Sequence, residues 1–90
     1  MTYRISQFED SGRLTLKIEG SLNSDSGKVL EQICEEFYKK YKQIEIDLMC
    51  VTFLAPETSA VLCRLKRELG VVFNGCHLFN KKMIDQLENQ

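Results

Sequence analysis

Apolar and polar residues alternate over three stretches of the chain and then change period twice. Tyr3, Ile5 and, after Ser6 and Gln7, Phe8 form an imperfect alternation, and Glu9-Asp10-Ser11-Gly12 supplies turn residues. Leu14, Leu16 and Ile18 alternate strictly with Thr15, Lys17 and Glu19, so the two segments predict a β-hairpin with one buried face. After Gly20 the run Ser21-Leu22-Asn23-Ser24-Asp25-Ser26-Gly27 offers several N-caps, and the period shifts from two to about 3.6. Val29, Leu30, Ile33, Cys34, Phe37, Tyr38 and Tyr41 then fall on one side of a helix. Lys28, Glu31, Gln32, Glu35, Glu36, Lys39 and Lys40 fall on the other, as a solvated face.

Gln43 to Leu48 alternates again and runs into the nearly continuous apolar stretch Met49-Cys50-Val51-Thr52-Phe53-Leu54, which predicts a buried central strand. Pro56 suits a first helical position, and Ala60, Val61, Leu62, Leu65 and Leu69 follow at helical spacing until Gly70 stops them. Val71-Val72-Phe73 reads as a short strand, Asn74-Gly75 as a turn or bulge, and Leu78, Phe79, Met83, Ile84 and Leu87 as a final amphipathic helix. The order is ββαβαβα. Helices between successive strands force crossovers, so the expectation is an α/β domain with a mixed four-stranded sheet covered by helices.

Composition narrows the functional classes. Ninety residues suit one domain spanning 1–90, because a second core would need roughly 50 more. Twelve basic against thirteen acidic side chains give a net charge of −1, without the positive field that non-specific nucleic-acid binding requires. No secretory or transit pattern opens the chain, and no apolar run approaches the ~20 residues of a membrane span, so a cytoplasmic protein without membrane insertion is expected. Cys34, Cys50, Cys63 and Cys76 lack a CxxC pair and sit in or beside apolar patterns, which predicts reduced thiols packed as small hydrophobes. Cys76-His77 is the single adjacent pair of potential ligands, too few for a structural zinc. No phosphate-cradling glycine motif is present, so no cofactor or metal is expected, and Asp47 reads as structural.

The strand-to-helix turn from Val51 to Ser59 stands out, because free N–H groups at a helix start favour anions and hydroxyls there are natural phosphorylation sites. The order of elements, with Leu14-Thr15-Leu16-Lys17-Ile18-Glu19-Gly20-Ser21-Leu22-Asn23 and Ile44-Glu45-Ile46-Asp47-Leu48-Met49-Cys50-Val51-Thr52-Phe53-Leu54, resembles the STAS family of sulfate-transporter and anti-sigma-factor-antagonist domains. In antagonists of that family the following segment is typically Asp-Ser-Ser/Thr-Gly, whose first hydroxyl is phosphorylated by a kinase that is itself the anti-sigma factor. Here it reads Ala55-Pro56-Glu57-Thr58, so the resemblance puts Pro56 at the acceptor position, where no hydroxyl exists. Displaced acceptors would be Thr58 or Ser59.

The resemblance implies a non-enzymatic interaction module that binds an anti-sigma factor or kinase-like ATPase. Its docking residues would be Ser21, Leu22, Asn23, Ser24, Ala55, Pro56, Glu57, Thr58 and Ser59. Two other classes stay open: a fixed accessory subunit bound to the ATPase of a lipid-transport ABC complex, and a small nucleotide-binding or thiol-based enzyme using Cys76 and His77.

Overall fold

A computed structural model describes residues 3–75. The elements run β1 (Tyr3–Asp10), β2 (Arg13–Leu22), α1 (Ser24–Phe37), β3 (Gln43–Leu54), α2 (Pro56–Leu69) and β4 (Val72–Asn74). The expected helix over Leu78 to Leu87, with Cys76 and His77, lies outside the described residues. The four strands form one mixed sheet in the order β1-β2-β3-β4. β1 and β2 pair antiparallel, whereas β2 with β3 and β3 with β4 pair parallel. The observed ββαβαβ order matches the expectation over this span.

The hairpin closes through Ser11 and Gly12, both at positive φ (53° and 82°), the backbone a two-residue turn needs to follow the strand twist. Lys42 N–H donates to the Gly12 carbonyl at 2.7 Å and anchors the entry to β3 against that turn. Both crossovers step the same way along the sheet, so right-handed connections place α1 and α2 on one face, where they pack on each other. The strands supply Leu14, Leu16, Ile18, Ile44, Ile46, Leu48 and Val51 to the core, and Leu30, Cys34, Leu62 and Leu65 descend from the helices. Glu31 and Arg64 form an ion pair between the helices, and Arg64 also reaches Glu68 at 3.2 Å.

Three expectations need correction. The first helix ends at Phe37 rather than reaching Tyr41, which instead packs edge-on against Phe37 with ring centroids 6.0 Å apart. The apolar run after Leu48 is not buried throughout: Met49, Cys50 and Phe53 are exposed. Met49 and Phe53 lie on the face of the sheet away from α1 and α2, and the register shift between Lys17 and Glu19, at which β3 carries an extra residue, moves Cys50 to that face and Val51 into the core. The thiols accordingly divide. Cys34 is buried, Cys63 half-buried and Cys50 exposed. Burial, helped by Glu35, pushes the Cys34 thiol up to about 11.

Candidate partner-docking surface

Parallel strands β2 and β3 both end at the edge of the sheet where the helices begin, which brings residues 21–24 beside residues 55–59. Ala55 N–H donates to the Leu22 carbonyl at 2.8 Å, continuing the ladder one step past the strands. Asn23 caps α1, its Oδ1 accepting from Ser26 N–H and Ser26 Oγ at 3.0 Å each. Its carbonyl takes two further donors, Gly27 N–H at 3.2 Å and the Thr58 hydroxyl at 2.6 Å. Ser24 Oγ donates to Glu57 Oε2 at 2.6 Å. Two ties, 33 and 35 residues apart in sequence, thus lock the starts of both helices together.

The start of α2 is built without a side-chain cap. Ala55 is in the extended region and Pro56 occupies the first turn, where its missing N–H costs no bond. Glu57 bends back in its place. Its carboxylate is held below the usual range first by the Ser24 hydroxyl and then by its own backbone N–H. Thr58 is fully buried, and the α1 backbone comes so close at Gly27 that a Cβ there would stand 3.0 Å from Thr58 Oγ1.

Burial sorts the nine expected docking residues into three groups. Asn23, Ser24, Pro56 and Glu57 are exposed on one contiguous surface. Leu22, Ala55, Thr58 and Ser59 are buried, so their side chains form the scaffold beneath that surface, and Ser21 is half-buried on β2 opposite Phe53. As displaced phosphate acceptors Thr58 and Ser59 fare poorly, because Thr58 is fully buried with its hydroxyl spent on Asn23 and Ser59 is only 8% exposed. The structure adds residues that the pattern had hidden. Phe53, 54% exposed, stands one residue from the end of β3, Met49, 51% exposed, lies further back on the same strand beside Gly75, and Asp25 is exposed on the first turn of α1.

Asp47 Oδ1 accepts the Met49 N–H at 2.9 Å beside the first bulge. Among the described residues no three His, Cys, Asp or Glu side chains cluster as a metal site requires.

No protein-family model matches the sequence, and no curated protein matches it. Solved structures do. The crystal structure of an antisigma-factor antagonist STAS domain from Rhodobacter sphaeroides superposes with a TM-score of 0.72 at 12% identity, over 91% of this chain and 96% of that one. The chain has a STAS fold. A second STAS-like match, the crystal structure of an anti-sigma factor antagonist from Mycobacterium paratuberculosis, gives a TM-score of 0.70 at 19% identity, over 96% of this chain and 77% of that one. On this fold, the turn that the sequence resemblance places at the acceptor position is the exposed N-terminus of α2, with Pro56 at its tip.

Proposed function

We propose that the chain is a non-enzymatic binding module of the bacterial cytoplasm that docks an anti-sigma factor or kinase-like ATPase on the surface formed by Asn23, Ser24, Pro56 and Glu57. The observation that carries this reading is the paired tie of Ser24 to Glu57 and of Thr58 to Asn23, which makes two separate helix starts into one preformed surface. A preformed surface binds without an ordering cost. Pro56 supplies no hydroxyl and Thr58 is buried in a hydrogen bond, so docking proceeds without an on–off phosphate switch at this turn.

The test is affinity purification from the native cell with mass spectrometry of both the captured protein and the bait, followed by binding of the purified pair. The expected partner carries a kinase-like ATPase domain, and Pro56→Arg and Glu57→Lys each weaken binding about tenfold or more, as charge intrusion at an interface centre does. Unchanged affinity in both variants overturns the surface. Phosphate within residues 55 to 59 overturns switch-free docking, and capture of an ABC-type ATPase replaces the regulatory reading with that of a standing accessory subunit.

A further inference from the structure

We propose that the outer edge of β1 pairs, antiparallel and two-fold symmetric about Ser6, with the same edge of a second copy of this chain. Among the described residues β1 ends the sheet on one side with eight residues, against three in β4 on the other. Its pairing with β2 runs unbroken from Tyr3 opposite Gly20 to Asp10 opposite Arg13. Because a two-residue turn makes Asp10 and Arg13 a hydrogen-bonded pair, the alternation gives the N–H and C=O groups of Arg4, Ser6 and Phe8 to β2. Those of Tyr3, Ile5, Gln7 and Glu9 point outward from the sheet.

Natural edges are blunted by charged side chains, proline, bulges or shortness. β1 has no proline or bulge and is not short; its charges are Arg4 near one end and Glu9 and Asp10 at the other, and Phe8 is 56% exposed on the face away from the helices. The edge is also complementary to itself. A shared sheet requires opposed residues to lie on the same face, so the two-fold axis passes through a residue and not between two. Centred on Ser6, the register sets Arg4 opposite Phe8 of the second copy on the open face, where a guanidinium covers an aromatic ring. On the helix side it sets Ile5 opposite Gln7 and Tyr3 opposite Glu9. No like charges meet, and all four outward residues of each copy are used, for about eight backbone hydrogen bonds. Centring on Gln7 opposes Ile5 to Glu9 and leaves Tyr3 unmatched. In the single chain Glu19 on β2 holds the Arg4 guanidinium at 2.8 Å, so covering the ring means that it turns from Glu19 toward the second copy. None of Asn23, Ser24, Pro56 and Glu57 lies on β1, so the pairing and the proposed docking stand or fall separately.

Sedimentation equilibrium of the full chain from micromolar to millimolar concentration tests this, with two variants. Gln7→Pro deletes an outward donor and leaves every β1–β2 bond in place, and Phe8→Lys puts a second cation opposite Arg4. The wild type is expected to dimerise, and each variant to raise the dissociation constant at least about tenfold with an unchanged circular dichroism spectrum. Hydrogen exchange at Tyr3, Ile5, Gln7 and Glu9 is expected to slow with protein concentration, while Arg4, Ser6 and Phe8 stay slow throughout. If Gln7→Pro fails to fold, Phe8→Lys and the exchange pattern decide alone. A monomer up to millimolar concentration, or a dimer as tight in the folded variants as in the wild type, overturns the proposal.

Discussion

The contact between Gly27 and Thr58 makes a double-mutant cycle informative. At an exposed helix position Gly→Ala gains about 1 kcal/mol of helix propensity. At Gly27 the new Cβ would meet Thr58 at 3.0 Å (Oγ1), 3.3 Å (Cγ2) and 3.4 Å (Cα), so the helices must part by a few tenths of an ångström. Such overpacking costs about 2 kcal/mol, which turns the expected gain into a loss of about 1 kcal/mol. Thr58→Ala removes a hydrogen bond and a buried methyl, about 1 kcal/mol each, while the Asn23 carbonyl keeps the Gly27 N–H. In the double variant the methyl introduced by Gly27→Ala enters the space that the Thr58 side chain vacated, and the propensity gain returns. The pair should then be about 1 kcal/mol less stable than wild type, against about 3 kcal/mol for independent losses, a coupling of about 2 kcal/mol. Urea unfolding of the four proteins measures it, and additivity to within ~0.5 kcal/mol would refute the argument that this contact sets the spacing of the helices.

Other consequences are as direct. Ser24→Ala should raise the Glu57 pKa toward the ordinary carboxylate range, as read by NMR titration of its side-chain carboxyl. Because the folded pKa is the lower one, the stability from this contact is present above the unfolded carboxylate pKa and is lost as pH falls through the folded value. In the folded protein iodoacetamide near neutral pH should label exposed Cys50 and spare Cys34, whose thiol titrates at about 11. A raised thiol pKa stabilises the fold below the unfolded pKa, and that contribution disappears as pH climbs through about 11. Gly75→Ala should cost at least about 2 kcal/mol in urea unfolding: its φ is +77°, and a Cβ would lie 2.5 Å from the Met49 nitrogen.

Local periodicity carried most of this architecture. Leu14, Leu16 and Ile18, and likewise Ile44, Ile46 and Leu48, announce a strand with one buried face, and all six lie in the core. Pro56 and Gly70 mark the ends of α2 because each has a backbone preference that the helix end requires, the second at φ +70°. Legibility stops where the determining partner is distant. The exposure of Met49 and Phe53 follows from a sheet face that the two helices leave open, and that of Cys50 from a bulge against β2, neither of which an apolar run reveals. The burial of Thr58 depends in the same way on the Asn23 carbonyl 35 residues earlier and on the absence of a side chain at Gly27. The turn was therefore legible as a surface, while the division of its residues into exposed and buried was not.

The ties between the two helix starts run through residues 23, 24, 57 and 58 and pass over residue 56, whose side chain faces solvent. The fold therefore asks of that position only a first-turn backbone, which many residues provide. Substitution there should draw little on the stability of the domain, so the surface is mutable at its tip, whereas the walls that carry it are not.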